Sequence, residues 1–296
     1  MTRVAAGRLA AVAVVPVAAL AVLVSPAQAL PAQVDYVALG DSYAAGPLVP
    51  LPKGTPAGCL RSTNNYASVV AGERGFTSFT DVTCSAATTE HLTASQQVTA
   101  GTAAPQFDAL TADTDLVTMT MGGNDIGFGS IVTECALRSP TKPQGAACMD
   151  HYTAGGTDQL EENIEAAAPK IAAAIAGIAE RSPDAEILIV GYPAILPDTG
   201  PGCFPVVPFS PGDVAYLRDT EKKLNAMLED QAGAGGATYV DTYTPSIGHD
   251  VCQLPGVKWV EGLVPTEPAA PVHPNARGER GMADAVLAAL SDSSAA

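Results

Sequence analysis

The chain has 296 residues, is 47% hydrophobic and carries a formal charge of −16 at neutral pH. So acidic a balance argues against nucleic acid and anionic membrane as main partners, because both repel it. About 267 residues following a removable leader suit one large α/β domain with a sizeable core.

Arg3 and Arg8 precede an apolar run over 9–24, and the small residues Ala27-Gln28-Ala29 follow it. A basic start, an apolar middle and a small-residue cut site form the layout of a secretory signal peptide. The run, about 16 residues, falls short of the roughly 20 that a spanning helix needs. We expect residues 1–29 to be removed and residues 30–296 to form the working domain, secreted and extracellular. Loss of the two arginines would take the charge to about −18. The first cysteine, Cys59, is far from the cut, so no lipidated terminus and no stable membrane anchor are expected.

Short apolar runs rich in β-branched residues follow at 34–39, 79–84, 116–121, 187–190 and 238–240, each closed by Gly, Asp, Ser or Pro. They read as buried parallel strands. Helical stretches lie at 158–181, 213–230 and 275–290, and Pro169 should start a new helix or kink the first of them. Alternating strands and helices predict an α/β protein with a mostly parallel sheet, whose ligands gather beyond the carboxyl ends of the strands. The loops 47–62 and 193–211 are long and rich in Gly and Pro, which marks them as candidate functional loops.

Six cysteines, an even number in a chain bound for an oxidising space, predict disulfides. Pairing neighbours closes the shortest loops: Cys59 with Cys84, Cys135 with Cys148 and Cys203 with Cys252. Metal binding is disfavoured, since no two cysteines have C-x₂₋₄-C spacing and the histidines are scattered.

Two polar clusters end strand candidates and should share one sheet edge: Gly40-Asp41-Ser42 and Gly122-Gly123-Asn124-Asp125. Gly, Asp and Ser are ordinary turn residues. Ser42 becomes a nucleophile only if a base can take its proton and donors await the oxyanion. Of the histidines, His91 sits where a helix should open and His151 in a loop beside Cys148. His273, just before the last helix, can reach the sheet edge, and His249 is the second choice. Asn124 offers a side-chain amide, and Gly122 and Gly123 allow close backbone approach. Asp41 should hold the Ser42 turn, and Asp125 should hold Asn124. Tyr43, Tyr66 and Trp259 read as packing or rim residues.

Four segments in order, "VALGDSYAAG", "CSAATT", "MGGND" and "VHPNARG", resemble the four blocks of the SGNH, or GDSL, hydrolases, most closely the secreted lipases and esterases of actinobacteria. The resemblance spans nearly the whole chain after the leader. It implies a flavodoxin-like three-layer α/β/α sandwich on a five-stranded sheet, and ester hydrolysis through an acyl-serine with no metal or organic cofactor. Carried onto this chain, Ser42 is the nucleophile and His273 the base, with the Ser42 N–H, the Ala86 N–H and the Asn124 amide as oxyanion donors. Asp41 and Gly123 support them.

Two positions depart from the pattern. Ala86 stands where the family has glycine, which keeps the N–H but not a glycine-only dihedral. Ala270 stands where many members carry an acid three residues before the histidine. By resemblance to secreted members that lack the acid, the Ala270 carbonyl is expected to accept the Nδ1 proton of His273, giving a Ser-His dyad, with Asp250 and Glu267 as rival acids. The expected activity is that of a carboxylic ester hydrolase on lipid or short-chain acyl esters. An acetyl-polysaccharide esterase, an acyltransferase or an inactive extracellular binding protein on the same scaffold are the alternatives.

Overall fold

In chain order the regular elements are β1 (Asp35–Gly40), α1 (Ser42–Ala45), α2 (Tyr66–Arg74), β2 (Ser78–Asp81), β3 (Gln96–Val98), β4 (Gly101–Ala103), β5 (Leu116–Thr120) and α3 (Phe128–Arg138). They continue with α4 (Ala147–Tyr152), α5 (Gln159–Arg181), β6 (Glu186–Val190), α6 (Pro211–Ala234), β7 (Thr238–Val240), α7 (Tyr243–Ser246) and α8 (Ala276–Ser293). The structure, a computed structural model, describes residues 1–2, 34–76 and 78–293. The expected leader, residues 1–29, lies outside the described residues apart from its first two. The fold belongs to the unit that runs from Gln33 onward.

Five strands form one sheet in the order β2-β1-β5-β6-β7, and every pairing in it is parallel. β3 and β4 make a separate antiparallel ribbon. Because buried parallel strands are covered on both faces, they read as near-continuous apolar runs. Along β1, Val37 and Leu39 face the core shared with α5 and α6, while Tyr36 and Ala38 face the core shared with α2 and α8. The result is the three-layer α/β/α sandwich expected from the sequence. α5 contributes Ile164, Ile171, Ile175 and Ile178 to the first core, and α8 contributes Met282, Val286 and Leu290 to the second.

The chain leaves β1 to one side for β2 and later returns to the other side of β1 for β5. That reversal opens a crevice beyond the carboxyl ends of β1 and β5, where open α/β sheets bind ligands. Ser42 follows β1 and Asn124 follows β5.

Pro169 lies inside α5, so no new helix starts there. Two expectations need correction. His151 lies on α4 and not in a loop. The second strand stops at Asp81, so Cys84 belongs to the turn beyond it. All three neighbouring cysteine pairs, Cys59–Cys84, Cys135–Cys148 and Cys203–Cys252, are disulfides. No helix among the described residues is long and apolar enough to cross a membrane, and no group of three metal-ligating side chains occurs among them.

Candidate active site

The serine turn depends on its first glycine. Gly40 ends β1 at φ 148°, and a Cβ there would lie 2.7 Å from both the Ala44 Cβ and the Thr120 carbonyl oxygen. Only glycine fits so close a passage. Buried Gln106 brackets it, accepting from the Gly40 N–H at 2.8 Å and donating to its carbonyl at 2.9 Å. Asp41 then caps α1 by accepting from the Tyr43 N–H at 2.9 Å. Ser42 is the first residue of α1, and its Oγ lies 2.8 Å from His273 Nε2.

His273 precedes α8. Its Nδ1 lies 2.8 Å from the carbonyl oxygen of Pro271, which can only accept, so Nδ1 carries the proton and Nε2 faces Ser42 as an acceptor. The carbonyl at Nδ1 is therefore that of Pro271 and not, as expected, that of Ala270. Ala270 instead accepts from the His273 backbone N–H at 3.2 Å and donates its own N–H to Pro47. The intervening Val272 sits at φ 58°, in the left-handed region, and turns the chain so that the later carbonyl points back at the ring. The Tyr43 hydroxyl donates to the Val272 carbonyl at 2.7 Å, and its ring lies 5.0 Å from the imidazole. Burial lowers the His273 pKa below its ordinary value, partly offset by the Pro271 carbonyl.

Neither rival acid is bonded to His273. Asp250 accepts from the Cys252 N–H and the Gln253 amide, and Glu267 accepts from the Gly256 N–H and pairs with Arg277. The other histidines lie apart from Ser42. His91 closes a cap with Thr88, His151 stands 4.0 Å from Glu134, and His249 stacks on Trp259. Tyr66 is buried, with its hydroxyl at 3.1 Å from Thr120.

The three donors expected for the oxyanion are the N–H groups of Ser42 and Ala86 and the Asn124 amide. No protein acceptor among the described residues takes the N–H of Ser42 or of Ala86. Ala86 adopts φ 64°, so an alanine occupies the left-handed conformation that glycine would adopt freely. One hydrogen of the Asn124 amide goes to the Ala87 carbonyl at 2.9 Å, which leaves the other free. The Cys84 N–H bonds the Gly40 carbonyl at 3.0 Å, and the Cys59–Cys84 disulfide anchors the same turn.

Tyr192, not singled out by the sequence reading, joins the first and third segments. Its hydroxyl donates to Asp41 Oδ2 at 2.6 Å and accepts from the Gly123 N–H at 2.8 Å. The available signal was its place just past the end of β6, at the same sheet edge. Burial pushes the Asp41 carboxyl up to about 7 against the bonds from Tyr192 and Tyr43. Asp125 does not hold Asn124, as expected, but accepts from the N–H and hydroxyl of Thr89 and so ties the third segment to the second.

Beside Ser42 and Asn124 opens a pocket with walls that are largely apolar: Phe128 and Ile131 from α3, Leu217 and Leu224 from α6, Phe209 and Leu196 from the loop between β6 and α6. The Cys203–Cys252 disulfide anchors that loop, and the Val251 N–H bonds the Ile195 carbonyl at 3.0 Å.

A serine and a histidine meeting at the carboxyl edge of a parallel sheet, with spare N–H donors and an apolar pocket at hand, have the makings of an ester hydrolase. The chain belongs to the GDSL-like Lipase/Acylhydrolase family, whose model matches residues 38–280. It is 44% identical over 271 residues to Lipase 2 of Streptomyces coelicolor, covering 90% of this chain and 88% of that one. Two solved structures superpose with a TM-score of 0.73 each. One is phospholipase A1 of Streptomyces albidoflavus NA297, 25% identical, covering 87% of this chain and 99% of that one. The other is an extracellular lipase of Streptomyces rimosus, 27% identical, covering 86% and 99%. By family, this chain is a carboxylic ester hydrolase.

Proposed function

We propose that residues 30–296 form a secreted lipase or esterase that cleaves acyl esters through an acyl-serine, using Ser42 and His273 as a dyad. The observation that carries this reading is the pair of 2.8 Å contacts on one imidazole, Nε2 to Ser42 Oγ and Nδ1 to the Pro271 carbonyl. Ser42 Oγ attacks the ester carbonyl carbon, and its proton passes to His273 Nε2. The carbonyl oxygen, now negative, is held by the N–H groups of Ser42 and Ala86 and by the free Asn124 hydrogen. Collapse breaks the carbon–oxygen bond to the alcohol, which leaves with the proton from His273. Water then attacks the acyl-serine, giving its proton to His273, and the acid departs as Ser42 recovers that proton.

The Pro271 carbonyl orients the imidazolium but brings no full negative charge to it. The apolar lining of the pocket supports a hydrocarbon acyl chain as its occupant. Export is supported by the composition of residues 1–29, by the three disulfides and by the extracellular lipase of Streptomyces rimosus among the similar structures.

A fluorophosphonate probe should label wild type at Ser42 and fail on Ser42→Ala, while His273→Ala slows labelling and turnover together. Asn124→Ala should cost around 100 to 1000-fold in kcat. Folded wild type that never takes the label would sink the acyl-serine. Asp250→Asn or Glu267→Gln with a loss approaching that of His273→Ala would replace the dyad by a triad. A p-nitrophenyl ester series that is turned over only as acetate would remove the long-chain assignment.

A further inference from the structure

Two carboxyls, Asp41 and Glu221, interrupt the apolar wall of the acyl pocket, and Asp41 is taken by the Tyr43 N–H and the Tyr192 hydroxyl. α6 presents Leu217, Glu221 and Leu224 to the cavity, at spacings of four and three that set them on one helix face. Glu221 is 8% exposed, and no cation among the described residues lies within ion-pair distance of it. Its two oxygens share a single donor, the Ile195 N–H, at 3.2 Å each. The other polar groups of that wall are committed elsewhere. The Tyr43 hydroxyl donates to Val272, the Tyr192 hydroxyl to Asp41 and the Thr220 hydroxyl to the Tyr216 carbonyl. A carboxyl has about four lone-pair sites, so one shared N–H leaves most of its bonding capacity unused at an otherwise apolar wall. A plain hydrocarbon tail cannot meet that capacity.

We propose that Glu221 is a subsite for a hydroxyl group borne on the acyl chain, so that esters of hydroxylated acids are preferred to their plain counterparts. The proposal rests on the ester-hydrolase reading and refines the substrate class of that site. A hydroxyl suits the position because it can both donate and accept, and so can bond the carboxyl in either ionisation state. Burial raises the Glu221 pKa well above the ordinary range, so the acid has an O–H of its own to place. A purely structural role, with Glu221 only fastening the loop at Ile195, would leave the choice of acyl chain indifferent to it.

The test is kcat/KM for matched p-nitrophenyl esters, plain and hydroxylated at successive carbons along the chain, with wild type, Glu221→Leu and Glu221→Gln. Wild type should favour the hydroxylated ester by about tenfold or more at one or two adjacent positions, since sites that hydrogen-bond a substrate hydroxyl discriminate strongly against its absence. Glu221→Leu should reverse the preference, and Glu221→Gln, which still donates and accepts, should retain it. A wild-type preference below about threefold at every position, or the wild-type ratio persisting in Glu221→Leu, overturns the proposal. Should the leucine variant not fold, the wild-type profile decides alone. Failure of the underlying reading looks different: no pair would be turned over and Ser42 would take no fluorophosphonate.

Discussion

Val272 is β-branched and yet sits at φ 58°, a conformation that costs roughly 1–3 kcal/mol and persists only when its surroundings enforce it. The enforcing contact is the Tyr43 hydroxyl on the Val272 carbonyl, one residue from the histidine. Tyr43→Phe keeps the ring beside His273 and removes only that bond. Its kcat should fall by about 10 to 100-fold with KM little changed, because small misplacements of a reacting group are that costly. Wild-type kcat in the variant would mean the turn holds itself. Ala86 poses the opposite case, strain without a visible restraint on its side chain. In Ala86→Gly the relief of a left-handed alanine, roughly 1–2 kcal/mol, is partly cancelled by glycine's greater freedom when unfolded. The melting temperature should hold or rise and kcat should survive; a fall of several degrees would show that the methyl packs usefully. At this scale the sequence singled out Ser42, His273 and Asn124 because their chemistry is specific, and the structure sets Ser42 Oγ 2.8 Å from His273 Nε2. The sequence assigned the Nδ1 acceptor to Ala270, one residue before Pro271, because which carbonyl faces a ring depends on the backbone dihedral of Val272, and no residue type there announces a positive φ.

Between elements, the four segments are joined by hydrogen bonds that sequence spacing does not reveal. Tyr192, past β6, links Asp41 after β1 to Gly123 after β5 through one oxygen. Tyr192→Phe strands one oxygen of a buried carboxyl and a buried N–H, which should cost roughly 2–5 kcal/mol, with kcat falling because both neighbours of the reacting groups are loosened. Thermal denaturation beside kinetics checks this, and a variant within about 0.5 kcal/mol of wild type would show that water replaces the hydroxyl. The strands themselves were legible to within a few residues, since a parallel strand covered on both faces must be an apolar run. Pro169 does not break α5, for a tertiary reason. It removes one donor from α5, but the helix buries Ile164, Ile171, Ile175 and Ile178 along one face, and that burial outweighs the missing bond. The partners of Tyr192 were illegible because they lie 151 and 69 residues away along the chain.

Across the whole molecule, three buried carboxyls set a pH dependence of stability. Asp41 is raised from 3.8 to about 7, and Glu221 and Glu279 are raised well above 4.5, in each case chiefly by burial. A carboxyl whose folded pKa exceeds its unfolded one binds more protons in the native state, so its contribution is whole below the unfolded value and is lost as pH rises through the folded one. For Asp41 the loss is on the order of 4 kcal/mol between about pH 4 and pH 8. The net charge of −16 adds self-repulsion in the same direction. His273 acts oppositely, because its lowered pKa takes stability away only as pH falls through a value below 6.5. Activity has the reverse preference: the base must be neutral, so kcat/KM should fall as pH drops through that lowered His273 value. Melting temperature should therefore decline from pH 5.5 to 8.5 while kcat/KM is maintained, leaving a mildly acidic window where both are high. Glu279 isolates the cause. Its Oε2 accepts from the Tyr66 N–H at 2.8 Å and its Oε1 has no hydrogen-bond partner among the described residues, so Glu279→Gln keeps the bond and abolishes the ionisation. The variant should lose less stability than wild type over that range. An identical slope would show that Glu279 ionises without penalty, and a melting temperature that climbs with pH would mean that paired carboxylates such as Glu261, whose pKa is lowered by its hydrogen bonds and Lys258, outweigh the buried ones.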